Sequence, residues 1–219
     1  RKLPFGIAQI GKAFRNEITP GRSLFRLREF ELMEVEYFVR PDDAPRAFEE
    51  WLGFMKDWLH VCGVRDEHVV FHEIPDGERA HYSARTIDIE YQYPFGTKEL
   101  YGLANRRDYD LKRHAEVSKQ DFTYYDQEKN ERFLPYVIEP ALGLDRTMLV
   151  VLLEAYHEIE GGRTTTTESN KEVEVVLRLP KELAPIKVAV LPLSKKEPLT
   201  AKAREIAAEL RKHWMVAYD

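Results

Sequence analysis

One cysteine, Cys62, stands in 219 residues. No disulfide can form within the chain, which fits a reducing compartment. Zinc spacing is missing as well: seven scattered histidines give neither C-x-x-C nor H-E-x-x-H. No G-x-G-x-x-G and no G-x-x-x-x-G-K-[ST] occurs, so a Rossmann fingerprint and a P-loop are excluded. No Ser, Cys or His stands in a nucleophile-elbow context, and an ordinary hydrolase has no support. The longest apolar run, Met148 to Leu153, is far short of the roughly 20 residues that span a bilayer. No sustained apolar stretch follows Arg1-Lys2-Leu3-Pro4-Phe5, so the start does not read as a signal peptide. Basic residues are not in excess. With 33 Lys and Arg against 38 Asp and Glu, the net charge is -5, and a broad positive field for coating nucleic acid is lacking. A local basic patch is still allowed.

What remains is a globular composition, 43% hydrophobic and 11% aromatic, with length for one core plus a small second module. Lys12 to Ile18 and Arg26 to Val39 read as two strands of an antiparallel hairpin, joined by a long loop with a Pro20-Gly21 turn signal. In the second strand Met33, Val35, Tyr37 and Val39 form an apolar face, while Phe30, Glu34 and Glu36 point the other way. Asp42 or Asp43 can cap a helix to about Val61 whose stripe is Phe48, Trp51, Leu52, Met55, Trp58, Leu59 and Cys62. Thr86 to Tyr93 alternates, Pro94-Phe95-Gly96 turns the chain into Lys98 to Ala104, and Phe133 to Glu139 is a further strand. Leu142 to Ile159 reads as a helix with Leu149, Leu152, Leu153 and Tyr156 inward. The polar, repetitive stretch from Glu160 to Asn170 reads as a linker. Lys187 to Leu193, Thr200 to His213 and Trp214 to Tyr218 then form one β-α-β unit with parallel strands. One such unit cannot bury both faces of its sheet. With no initiator Met, it suggests a piece of a longer polypeptide.

The arginines carry the chemical signal. Arg15 and Glu17 share one strand face, and Arg26, Arg28, Phe30 and Glu34 another. If the faces coincide, one surface holds guanidinium forks for phosphate oxygens, a ring for stacking on a purine, and carboxylates for an ammonium group or a metal ion. A solvated sheet face with ion pairs explains the same pattern.

Pro4-Phe-Gly-Ile-Ala-Gln-Ile-Gly-Lys-Ala-Phe-Arg-Asn-Glu17, continued by Arg26-Leu-Arg-Glu-Phe-Glu-Leu-Met-Glu-Val-Glu36, resembles motif 2 of the class II aminoacyl-tRNA synthetases in their dimeric glycyl form. Pro135-Tyr-Val-Ile-Glu-Pro-Ala-Leu-Gly-Leu-Asp-Arg146 resembles motif 3 of the same family. Ala80-His-Tyr82 and Glu99 to Asp108 resemble its intervening signatures, and Ala184 to Pro192 looks like the opening of its anticodon-binding domain. The resemblance implies an α+β fold: a mainly antiparallel sheet flanked by helices, then the start of an α/β module. It divides the chain into a catalytic core over 1–160, a connecting segment over 161–183 and a truncated anticodon-binding domain over 184–219.

The resemblance also implies roles. Arg15 would hold the ATP α-phosphate, and Arg146 would clamp the far side of the triphosphate. Glu17 and Arg26 would position ATP, Phe30 would stack on adenine, and Glu99 would sit near Mg²⁺ and the phosphates. Glu34 and Glu139 would fix the glycine ammonium, Arg106 would face its carboxylate side, and position 141 would border the substrate. Arg22, in the motif 2 loop, would touch the tRNA acceptor end or simply keep the loop soluble. His81 reads equally as a structural or a substrate-rim residue. The implied partners are ATP, glycine and tRNA(Gly), in a cytoplasmic homodimer with no membrane attachment.

Two departures stand out. The family usually has Ser at the position of Ala141, and no segment matches motif 1. A fragment with weak or no activity of its own is the expectation. A non-catalytic, synthetase-like binding subunit and a class II enzyme for another small amino acid are the alternatives.

Overall fold

The structure is a computed structural model that describes residues 2–21, 23–160 and 173–219. In chain order the elements are β1 (Phe5–Phe14), β2 (Glu29–Val39), α1 (Ala44–Val61), β3 (Val69–Glu73), β4 (Arg85–Tyr93), β5 (Gly96–Arg107), α2 (Tyr109–Ser118), β6 (Tyr124–Asp126), β7 (Glu131–Phe133), β8 (Tyr136–Gly143), α3 (Leu144–Ala155), β9 (Tyr156–Glu160), β10 (Val173–Leu177), β11 (Val188–Val190), α4 (Leu199–Leu210) and β12 (Val216–Tyr218). They fall into two units, residues 1–60 with 64–154, and residues 61–63 with 155–219.

The first unit is built on a six-stranded sheet in the order β1-β2-β8-β5-β4-β3. Every pairing in it is antiparallel. Its strands alternate because one face is dry. Ile87, Ile89, Tyr91, Tyr93, Tyr101, Leu103 and Ile138 are buried, as are Phe48, Leu52, Met55 and Leu59 on the stripe of α1. Polar links tie the core to both helices: the Trp58 indole donates to Tyr101 Oη at 3.2 Å, and Tyr101 Oη lies 2.8 Å from Thr147 Oγ1 at the start of α3. Trp51 meets the Tyr37 ring edge-on at 5.5 Å. The residues of opposite parity, Glu34, Glu36, Gly102, Ala104, Glu139 and Ala141, face away from this core.

In the second unit β9 and β10 form an antiparallel ladder. β11 and β12 pair in parallel, as expected of the β-α-β unit. No helix among the described residues is long and apolar enough to cross a membrane.

Several boundaries differ from the sequence reading. β1 runs Phe5–Phe14 rather than Lys12 to Ile18, and β2 starts at Glu29. Arg15, Glu17, Arg26 and Arg28 therefore lie on the connection, not on strand faces. Asp42 and Asp43 belong to a short 3-10 turn leading into α1. The strand expected over Phe133 to Glu139 divides at Pro135, which has no N–H to give a ladder: β7 pairs with β6, and β8 begins at Tyr136. The helix expected to reach Ile159 stops at Ala155. Residues Tyr156–Glu160 form β9, because β10 offers a partner that local propensity cannot see. Of the residues expected inward on α3, Leu152 is exposed, as is Tyr156, now on β9. Val150, Val151 and Ala155 are buried instead. Most of the stretch from Glu160 to Asn170 and the residue Arg22 lie outside the described residues. β3, α2 and the β6–β7 hairpin were not expected at all; α2 buries no residue and so has no apolar stripe to reveal it.

Candidate active site

The polar face of the sheet forms the floor of a cleft. Constant register across four strands lines up Glu34, Ala141, Gly102 and Asp88 in one row, and Glu139, Ala104 and Thr86 in the next. The middle of this floor is nearly bare backbone. A Cβ on Gly102 would meet nothing within 4 Å. Arg15, Glu17, Arg26, Phe30, Glu34, Glu99, Glu139, Ala141 and Arg146 line the same cleft. Of the residues expected at the site, only Arg106 stands behind the wall rather than on it.

At one end the groups are basic and aromatic. The long β1–β2 connection folds back on itself: Arg15 N donates to Arg28 O at 2.9 Å and Gly21 N to Arg26 O at 2.8 Å. Arg26 Nε reaches Glu17 Oε2 at 2.9 Å, and Arg28 Nε reaches the Glu17 carbonyl at 3.0 Å. Arg15 is exposed, its guanidinium 5.5 Å from the centre of the Phe30 ring. Arg146, in the first turn of α3, donates to the carbonyls of Glu99 at 2.7 Å and Phe25 at 3.2 Å and lies 3.2 Å from Glu99 Oε2. Asp145 beside it accepts from Glu31 N at 3.3 Å, fixing the start of α3 against β2.

Two β-bulges aim residues that plain alternation would misplace. The β4–β5 register shifts between Ile89 and Glu90, leaving Leu100 as the extra residue. Without it, Glu99 would share the buried face of Tyr101 and Leu103; with it, Glu99 joins Asp88 and Gly102 on the cleft side. The β5–β8 register shifts at Arg106, and Arg107 takes a positive φ of 53°. The Arg106 guanidinium then grips Asp110 in α2 with two bonds, 2.7 and 3.0 Å, and Glu139 at 2.9 Å, with the Tyr82 ring 4.1 Å away. Burial opposes the charge on Arg106, but Asp110 and Glu139 outweigh it and hold the guanidinium above its ordinary range. The same bond holds Asp110 below its own.

The other end of the cleft is acidic. Carboxylate oxygens of Glu34, Glu36 and Glu139 lie within 4.8 Å of one another. Glu36 was seen on the right face but not named for the site; its spacing of two from Glu34 was the signal. The register of β2 on β8 brings it beside Glu139. The β2–β8 pairing runs from Leu32 to Glu34, lapses, and resumes at Tyr37. Pro140 has no N–H to close the gap, and the same register sets Glu36 opposite Glu139 there. Burial, then the charge of Glu139, pushes the Glu36 carboxyl up to about 8. Glu139 is raised too, chiefly by burial and against the pull of Arg106. Asp88 was also not foreseen. Burial holds it above its ordinary range, reinforced by Glu99 and Glu90. His81 ties the loop before β4 to α2, its Nε2 2.9 Å from Tyr109 Oη.

A cleft that is basic at one end, acidic at the other and floored by small residues is suited to a polyanion and a cationic group side by side. Comparison with known proteins agrees. Residues 1–156 match the tRNA synthetase class II core domain (G, H, P, S and T). The chain is 51% identical over 222 residues to the glycine–tRNA ligase of Thermobifida fusca, covering 100% of this chain and 47% of that protein. It is 53% identical over 221 residues to that of Geobacillus thermodenitrificans, covering 100% and 45%, and 51% identical over 221 residues to that of Corynebacterium glutamicum, covering 100% and 47%. The chain thus spans about half the length of the curated relatives it matches. Given the domain match over residues 1–156 and a hairpin and strand–helix pair that meet in one cleft, the chain belongs to the class II tRNA synthetase core family.

Proposed function

We propose that this chain carries the amino-acid-activating centre of a glycine–tRNA ligase. The observation that carries the reading is the single cleft in which Arg15, Phe30 and Arg146 stand at one end and Glu34 and Glu139 at the other. ATP takes the basic end, with Arg15 at the α-phosphate, Glu17 and Arg26 around the nucleotide, Phe30 against adenine and Arg146 on the outer phosphates. Glycine takes the acidic end, its ammonium facing Glu34 and Glu139. Arg106 acts from behind, holding Glu139 in place.

The chemistry asks for positioning more than for proton transfer. The glycine carboxylate is already ionised at neutral pH. One of its oxygens forms a bond to the α-phosphorus while the bond to pyrophosphate breaks. Guanidinium groups neutralise the charge gathered on the phosphoryl oxygens. The terminal ribose hydroxyl of tRNA(Gly) then attacks the activated carbonyl, and AMP leaves. The absence of a Ser, Cys or His nucleophile is consistent with this route.

The residues also suit Mg²⁺. Glu99 and Asp88 offer hard oxygen ligands on one face, and the repulsion from Glu99 that adds to the burial raising Asp88 is one a divalent cation relieves. The ion would supply charge neutralisation on the phosphates. In the whole enzyme the reading includes tRNA(Gly) as partner, a homodimer and a cytoplasmic setting.

Amino-acid-dependent ATP–pyrophosphate exchange tests the proposal, with glycine, alanine, serine, threonine and proline in parallel. Weak exchange, driven by glycine alone, is expected of the chain by itself. Exchange driven by another of the five would reassign the substrate, and ATP binding with no exchange would withdraw the claim that this chain activates an amino acid.

A further inference from the structure

Resting on the reading of the acidic end as an ammonium site, we propose that Glu36 is a positioning residue which keeps a proton in the empty cleft, gives it as a hydrogen bond to Glu139, and loses it to solvent when the substrate ammonium arrives. Substrate binding at this site is then an exchange of one cation for another.

Three observations converge. The first is a count of charge. The charged groups facing Glu36 are Glu34 on its own strand, Glu139 on β8 and Arg106 on β5, with Asp110 of α2 behind Arg106. From β1 the residue opposite Glu36 is the uncharged Ile7. One guanidinium thus serves Glu139 and Asp110 together and makes no hydrogen bond to Glu34 or Glu36. Three carboxylates within 4.8 Å in a half-buried setting cannot all stay ionised against so little positive charge.

The second observation is the place of the one cation. The carboxylate oxygens of Glu36 and Glu139 lie within 4.8 Å of each other. Two carboxylates are acceptors only, so they can bond to each other only with a proton on one of them. Arg106, bonded to Glu139 at 2.9 Å, favours the ionised form there, which leaves the proton on Glu36. Burial and the neighbouring charge of Glu139 act in the same sense, holding the Glu36 carboxyl up to about 8.

The third is the register. The pairing of β2 with β8 sets Glu36 directly opposite Glu139, where facing side chains of antiparallel strands stand side by side. An ammonium group brings one positive charge and three donors. It can replace the Glu36 proton both as charge and as a donor to Glu139, after which Glu36 becomes a further acceptor for it.

The experiment uses the 219-residue chain and its Glu36→Gln variant. Carbon-13 NMR of the glutamate side-chain carboxyls in the empty protein should show one resonance titrating above about pH 7 and missing from the variant. Calorimetry of glycine binding, with an ATP analogue that cannot release pyrophosphate and in buffers of different ionisation enthalpy, should show about one proton released per glycine near neutral pH. That release should vanish in Glu36→Gln, and in the wild type above about pH 9. Glycine affinity in the wild type should rise by up to about tenfold per pH unit below about pH 8 and stay flat in the variant. Titration of every carboxyl in the acid range, or glycine binding without proton release, would overturn the exchange while leaving the substrate assignment intact. Failure of glycine to bind a chain that binds ATP would overturn the substrate assignment and the exchange with it.

Discussion

The two ends of the cleft hold their charges in opposite ways. At the basic end Arg15 is exposed and Arg26 is 65% exposed, and their partners are a ring face and one carboxylate. At the acidic end Glu36 and Glu139 are half buried, within 4.8 Å of each other and raised in pKa. Guanidinium groups stay charged whatever surrounds them, so they can wait in water for a polyanion at little cost. Carboxylates crowded together and partly dehydrated store repulsion until a cation enters. The basic end is arranged for capture, and the acidic end for selection.

The largest expected effect tests the basic end. Arg15→Ala should lower ATP–pyrophosphate exchange by about 100- to 1,000-fold. Stability measured by urea unfolding should shift by no more than about 0.5 kcal/mol, since the side chain is exposed. A parallel loss of stability would show that Arg15 supports the fold, and the contrast between the two ends would fail.

Glu139→Gln should weaken glycine binding by about 10- to 150-fold, the worth of a hydrogen bond to a charged group. ATP affinity, measured separately, should not change. If ATP binding fell equally, the ends would not be independent. Gly102→Ala probes the floor between them. With nothing within 4 Å of the new Cβ, thermal stability should hold. The glycine KM should nonetheless rise by about tenfold, since one added methyl must occupy substrate space.

Ala141→Ser restores a hydroxyl beside Glu34, its cross-strand neighbour. Glycine affinity should improve by about fivefold, the worth of one neutral hydrogen bond. The smallest effect concerns stability against pH. The folded chain keeps the Glu36 proton up to about pH 8, the unfolded chain only to the ordinary 4.5. The folded state therefore loses stability as pH rises between those values. Glu36→Gln does not titrate, so its melting temperature relative to the wild type should increase by roughly 3–5 °C for each pH unit within that window. An unchanged difference would mean that the acidic end carries no stored repulsion.

Much of this was legible in the residues. Alternation in Thr86–Tyr93 and the stripe of α1 located the core, because burial on one face imposes those periods directly. Motif resemblance located nine of the ten expected site residues on one cleft and the tenth, Arg106, immediately behind it. The failures were of two kinds. Strand ends slipped at the β1–β2 connection, where Arg15 and Arg26 are held by backbone bonds and ion pairs rather than by pattern. Helix and strand were confused after Ala155, where a pairing partner distant in sequence decides the outcome.

By itself the amino-acid order determined which faces are dry, that the first strands form a hairpin, and which residue types a phosphate-and-ammonium site would need. Tertiary structure alone decided where those residues point. The extra residue Leu100 turns Glu99 from the core into the cleft, the bulge at Arg106 brings its fork to Glu139, and the register of β2 on β8 sets Glu36 opposite the same carboxylate. A period of two is a local property of the chain, whereas a bulge or a register exists only between strands, and so it appears only once the strands have found one another.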